Sequence, residues 1–417
     1  MEFRELEDIA IVKGGKRLPK GHQLVDYKTK HPYLRITDYS NGYVDLKKLK
    51  YISDETYEMI SRYIINERDV FLSIVGTIGM VDYIDENLDG ANLTENAVKI
   101  QIEDTHKYNP LYLSYYLKSP YGQHEINSRT VGSTQKKLAI KRIRKILVPN
   151  IDIEIQNKIA SILNNYDKKI ETNNKIIANL EAQAQALFKY YFVDFETFAD
   201  GNFVDSELGP IPEGWNIVSI GHISKLKSGK RPKRKTEKMS IPIIGANGIT
   251  GYCEDYLYDE NVIVTGRVGT LGVVRRYHEK IWASDNALVF TSQDYFEYLY
   301  FQLLQVNYNS LNRGSTQPLI SQKDIKNIKI VLPNDNDLIK FQNIIKNIFE
   351  LQNTLKKQNQ TLAQARDALL PRLMAGEIDL EGLGGSYDWS IVRKRLWRYF
   401  YQVNRRFGLS KDWPDHD

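Results

Sequence analysis

The 417-residue chain uses a set of short words twice, in the same order. Repetition of this kind constrains a fold more than any single local motif. Gly15-Lys16-Arg17 returns as Gly229-Lys230-Arg231, and Gly76-Thr77-Ile78-Gly79 returns as Gly269-Thr270-Leu271-Gly272. Asn96-Ala97 returns as Asn286-Ala287, and Gly132-Ser133-Thr134-Gln135 as Gly314-Ser315-Thr316-Gln317. The apolar run from Ile143 to Pro149 is matched in character by Ile328 to Pro333. Order is kept while spacing drifts, the mark of one framework carrying different insertions between fixed corners.

Each repeat divides into a globular part and a helical part. Short apolar runs such as Val70–Val75 and Val262–Val264, punctuated by Gly, Pro, Asn and Asp, read as strands of a mixed sheet. Helical stretches interrupt them at Pro110–Leu117 and at Glu297–Leu304. After Pro149, Asn150 or Asp152 is placed to cap a helix, and Glu154 complements its dipole. Ile159, Leu163, Tyr166, Ile170, Asn173, Ile177, Leu180, Ala184, Leu187 and Tyr191 then recur at alternating steps of four and three. That spacing is the condition for a helix pair. The second copy opens on Asn334–Asp337 and runs through Phe341, Ile348, Leu355, Leu362 and Leu369. Ile345, Gln352, Asn359 and Arg366 fill the intervening seam positions. At 1.5 Å per residue each helix would be roughly 60 Å long.

The sequence therefore predicts an α+β chain: two similar mixed α/β domains, each followed by a long helix. The two helices are expected to pair as an antiparallel coiled coil with pseudo-two-fold symmetry. The expected boundaries are 1–150 and 215–333 for the domains and 151–195 and 334–376 for the helices. Residues 196–214, with Gly209, Pro210, Pro212 and Gly214, form a linker, and 377–417 a tail. In that tail Val392, Leu396, Tyr399, Val403 and Phe407 mark one face of a basic amphipathic helix.

Composition narrows the function class. The chain is 42% hydrophobic and 26% charged with a net charge of +5, as for a globular protein. No run approaches the length of a membrane span, and the acidic N-terminus is unlike a secretory signal. A single cysteine, Cys253, fits a reducing cytoplasm. Basic residues cluster at 126–150 and again at 225–238. Of motifs for catalysis there is little. His124-Glu125 and His278-Glu279 lack the second histidine of a zinc motif. No Gly-x-Ser-x-Gly elbow occurs. Ser228-Gly229-Lys230-Arg231 lacks the first glycine and final hydroxyl of a phosphate loop. Asn109-Pro110-Leu111-Tyr112 reads as a helix start rather than a methyltransferase motif, and no metal site is expected.

With these words the chain resembles the specificity subunits of type I restriction–modification enzymes over about residues 4–384. Most specific are Leu187–Phe195 with Glu207–Trp215, and Leu370-Pro371-Arg372-Leu373-Met374-Ala375-Gly376-Glu377-Ile378. The resemblance implies two target-recognition domains, each reading half of a split duplex sequence, and a helix pair that sets the gap. It implies docking of two modification subunits that methylate adenine with S-adenosylmethionine. It also implies motor and restriction subunits using ATP and Mg2+, with no cofactor bound and no catalysis by this chain.

Duplex reading needs cations on phosphates and Arg, Lys, Asn or Gln on base edges. The candidates are Lys16, Arg17, Arg129, Gln135, Lys136 and Lys137 in the first domain. In the second they are Lys230, Arg231, Lys233, Arg234, Lys235, Arg267, Arg313 and Gln317. Gly76, Gly79, Gly269 and Gly272 are expected to shape tight turns. Two rival readings stand beside this one: an enzyme in its own right, and a coiled-coil scaffold or DNA-binding regulator outside restriction–modification.

Overall fold

A computed structural model describes residues 2–40, 43–132, 136–232, 234–236, 240–378 and 380. The tail helix expected after Gly385 lies outside these residues. The described residues form two compact units, one drawn from those up to Glu171 and again from Asn359, the other from Thr172–Gln358. Each unit thus combines one globular domain with part of each long helix.

The globular domains share three sheets, of which the main sheet and the ribbon correspond strand for strand. In the first unit Ala10–Gly14, Ala97–Ile102, Val70–Ser73 and Val81–Tyr83 form a four-stranded antiparallel sheet. In the second unit Lys225–Ser228, Ala287–Thr291, Val262–Gly266 and Arg275–Tyr277 form the same sheet. A second sheet, four-stranded in the first unit and three-stranded in the second, contains one parallel pair in each: His31–Leu34 beside Ala91–Leu93, and Ile241–Gly245 beside Trp282–Ala283. A two-stranded ribbon joins the start of each domain to the strand before its helix, Glu2–Glu5 with Leu147–Asn150 and Asn216–Ser219 with Lys329–Leu332. The central strands are buried on both faces, which is why they read as apolar runs rather than as alternating patterns.

The long helices span Ile153–Phe192 and Asp335–Met374. Asp152 caps the first, its carboxylate accepting from Glu154 N at 2.8 Å. Asn334 caps the second, accepting from Asp337 N at 3.0 Å. Past Phe192, Phe195 adopts a left-handed backbone (φ 54°) and sends its ring onto Phe203 and Trp215. Gly376 (φ 70°) ends the second helix, with Glu377 N donating to Arg372 O at 2.9 Å. Such a left-handed stop accommodates glycine at no steric cost. Asn109 accepts from Leu111 N and Tyr112 N, so Asn-Pro-Leu-Tyr is a helix start as expected.

Within each unit the two helices run antiparallel. In the first, Asp167 and Arg366 form an ion pair that Tyr115 extends through its hydroxyl. In the second, Asn173 donates to Gln358, and Gln352 donates to Ile177 O and to Glu181. Ile159, Leu163, Ile170, Phe341 and Ile345 are buried, while Tyr166, Ile177, Leu180, Leu187, Ile348, Leu355, Leu362 and Leu369 are half-buried. Burial is wider than the stripe predicts. Gln156, Phe188, Phe192, Leu338 and Phe349 are also buried, because helix ends pack against a domain as well as against each other. Leu370, Leu373 and Met374 join the first domain's core, and Phe188 and Phe192 join the second's. A helix with two neighbours needs a broad apolar face rather than a narrow seam.

Candidate nucleic-acid interface

Three of the repeated words, Gly-Lys-Arg, Gly-Thr-x-Gly and Asn-Ala, meet at one end of the main sheet in each unit. In the first, Gly14 pairs with Val98 and Leu72 with Val98. This register brings the segment after Gly14, the turn after Ser73 and the loop before Ala97 together. In the second, Ser228, Leu288 and Thr265 occupy the same register.

The Gly-Lys-Arg word is stitched down identically twice. Lys16 N donates to Leu93 O at 2.8 Å, and Tyr33 Oη donates to Lys16 O at 2.7 Å. Lys230 N donates to Ala283 O at 2.9 Å, and Trp282 Nε1 donates to Lys230 O at 2.6 Å. The preceding glycine is required by close approach. A Cβ on Gly15 would lie 2.1 Å from Thr94 O, and one on Gly229 would lie 2.1 Å from Ser284 O. Held this way, the side chains of Lys16, Arg17, Lys230 and Arg231 are exposed.

The Gly-Thr-x-Gly turns behave as expected, Gly76, Gly79, Gly269 and Gly272 all having φ between 76° and 87°. Each turn is tied to the Asn-Ala word: Ile74 N donates to Asn96 O, and Arg267 N donates to Asn286 O, both at 2.8 Å. It is tied also to the segment after the Gly-Ser-Thr-Gln word, through Leu138 N to Ile74 O and Ile320 N to Arg267 O. In the second unit Gly269 N donates to Pro318 O at 3.0 Å, placing exposed Gln317 beside the turn.

The other candidates divide. Arg17 is exposed yet pairs with Glu95 at 2.8 Å, a hydrogen bond that raises the Arg17 pKa. Burial pushes the Glu95 carboxyl up, but the Arg17 bond and its neighbours hold it below the usual value. Among the described residues Arg231 pairs with no carboxylate. Lys136 and Lys137 are exposed, as are Arg234 and Lys235. Arg267 is half-buried with its Nε unpartnered among the described residues.

Arg129 is turned inward. It bonds Glu125 at 2.8 Å and donates to Lys145 O, so its guanidinium braces the domain. Arg313 pairs with Asp324. Arg313 N donates to Leu319 O just as Val131 N donates to Lys137 O, so the position matching Arg313 is Val131, not Arg129. Gln135 and Lys233 lie outside the described residues.

Sequence reading missed the hairpin Ile241–Gly245 with Gly248–Cys253, whose exposed tip lines a cleft together with Arg231, Arg234 and Lys235. Its signal is Ala246-Asn247-Gly248 between two apolar runs. Cys253 is buried, its thiol pKa raised by burial, as for a packing residue. Among the described residues no cluster of His, Cys, Asp and Glu could hold a metal, and no helix is long and apolar enough to cross a membrane.

Known proteins resemble this chain in sequence and in fold. The family model described as the type I restriction modification DNA specificity domain matches residues 1–182 and 212–365. The MjaIX type I restriction enzyme specificity subunit of Methanocaldococcus jannaschii is 32% identical over 303 residues, covering 65% of this chain and 70% of that protein. The MjaVIII specificity subunit of the same organism is 23% identical over 419 residues, covering 91% and 97%. The crystal structure of a type I restriction–modification S subunit from M. genitalium matches with a TM-score of 0.53 at 19% identity, covering 89% of this chain and 95% of that one. That last likeness is one of fold.

Proposed function

The chain belongs to the type I restriction–modification DNA specificity family, and from that premise we propose how it divides its work. Each globular domain reads one part of a divided duplex sequence through the sheet end where the repeated words converge. The observation that carries this reading is the twice-built anchor of Gly-Lys-Arg. It exposes Lys16 and Arg17 in one domain and Lys230 and Arg231 in the other beside matching turns. Identical backbone anchoring with exposed cations suits phosphate contact, which needs placed charge. Residues that differ between the corners are then left to select bases.

The long helices act as the spacer between the two target parts and as the dock for two modification subunits. Those subunits bring S-adenosylmethionine and adenine methylation. Motor and restriction subunits bring ATP and Mg2+ chemistry. This chain supplies recognition and carries no catalytic centre of its own.

The test is mapping of methylated adenines after co-expression with candidate modification subunits. The expected outcome is a two-part target with a fixed gap. Removing one heptad from both helices is expected to change the gap while leaving both parts readable. Absence of any salt-dependent duplex affinity would instead favour a scaffold with no nucleic-acid role. Methyl-donor binding by the purified chain would favour the enzyme.

A further inference from the structure

The second unit presents a feature that phosphate contact does not use. The strands Ile241–Gly245 and Gly248–Cys253 pair antiparallel, with Ala246 and Asn247 alone joining Gly245 to Gly248. At this tip Asn247 and Thr250 are exposed, and Ile249 keeps 57% of its surface in water. A large apolar side chain at an exposed hairpin tip gains nothing for the fold.

The tip is also braced. Arg275, from the neighbouring sheet, donates Nη2 to Asn247 O at 3.4 Å, and its guanidinium packs 3.7 Å from where a Gly248 Cβ would be. The pairing shifts by one residue between Ile243 and Ile244, leaving Thr250 as the extra residue. Its hydroxyl donates back to Ile243 O at 3.3 Å. Bulges of this kind re-aim side chains. Beside the hairpin opens a cleft of about 700 Å³ lined by Arg231, Arg234, Lys235, Asn247, Thr250 and Asn286. Among the described residues Asp285 is the only carboxylate on its wall.

We propose that this hairpin is the base-reading element of the second domain, with Asn247 and Ile249 entering the major groove while Arg231, Arg234 and Lys235 hold the flanking phosphates. The inference rests on the recognition function above and adds the reader and its chemistry. A two-stranded ribbon fits the major groove. Asparagine pairs with the N6 and N7 edge of adenine, and an apolar side chain packs on the thymine methyl. This part of the target therefore contains an A·T step. In the first domain the equivalent strands His31–Leu34 and Lys50–Ile52 are joined by a much longer segment that includes the strands Tyr39–Ser40 and Tyr43–Val44. The two parts of the target are therefore read by different elements.

The test is selection from a pool of duplexes with a randomised centre, at fixed salt, by the full chain co-purified with its modification subunits. Asn247→Ala and Ile249→Ala should each lower discrimination about tenfold at one or two adjacent positions of one part. The other part should be unchanged, which also reports that the variant is folded. Arg234→Gln should weaken binding to all duplexes alike and flatten the salt dependence. Unchanged base preferences in both hairpin variants would overturn the inference while leaving the function standing. Retained preferences with loss of the modification subunits would also overturn it, making the hairpin a protein contact. A wild-type chain that selects no two-part sequence would remove the function itself, and the inference with it.

Discussion

The two units solve the same packing problem with different materials. The first closes its helix junction with aliphatic residues, Ile159, Leu163, Leu370 and Leu373, and with the polar trio Tyr115, Asp167 and Arg366. The second closes it with rings. Phe188 packs on Phe301 at 5.1 Å, and Phe192 on Phe341 at 4.8 Å. Arg276 lies across Phe349 and Tyr300, 3.0 and 4.5 Å from their centroids, and donates to Gln352 at 3.1 Å. Glu181 completes the group by accepting from Tyr300 Oη and from Gln352. Burial lowers the Arg276 pKa, yet the residue stays among acceptors and ring faces that suit a guanidinium. The lesson is that backbone anchors and sheet order are held in common, while side-chain solutions are free to diverge.

That division can be broken by experiment. The largest effect is expected at the aromatic junction, where Phe188→Ala should cost about 4 kcal/mol, against about 3 for Leu163→Ala. Denaturant midpoints of the full chain would check the order. Equal or reversed costs would mean that the aromatic junction is packed no more tightly than the aliphatic one. Next come the shared anchors. Gly15→Ala and Gly229→Ala each press a methyl into a backbone carbonyl, and each should cost about 2–3 kcal/mol. If one were harmless, the two anchors would not be equivalent. Arg276→Lys keeps the charge but loses the planar stack, and should cost about 1–2 kcal/mol in thermal unfolding. The smallest contrast concerns DNA. Arg231→Gln should weaken duplex binding a few-fold, and Arg17→Gln less, because Arg17 must first release Glu95. Titration at two salt concentrations would show which domain leans more on its cation.

Much of this fold is legible in the sequence, and the reasons differ by element. The helix starts at Asp152 and Asn334 can be read because capping is local chemistry. The repeat can be read because its words sit at backbone corners where few residue types fit. Phe188, Phe192 and Phe349 escape the seam pattern because their burial comes from a domain packed on the helix, which periodicity along one helix does not encode. Gly15 and Gly229 hide their reason for the same cause, since the carbonyls they approach lie far along the chain. Arg129 looks like a DNA ligand from charge alone, and only the buried Glu125 beside it shows that its charge is already used. The hairpin at Asn247 is short enough to pass for a turn between two anonymous apolar runs.

The central claim is that the two domains read separate parts of one duplex independently. The most direct measurement is to exchange residues 1–150 for the corresponding domain of another family member and map methylated targets of the complex. The account predicts that one part of the target changes while the other part and the gap stay fixed. If both parts change together, or neither does, the domains are not independent readers and the account fails.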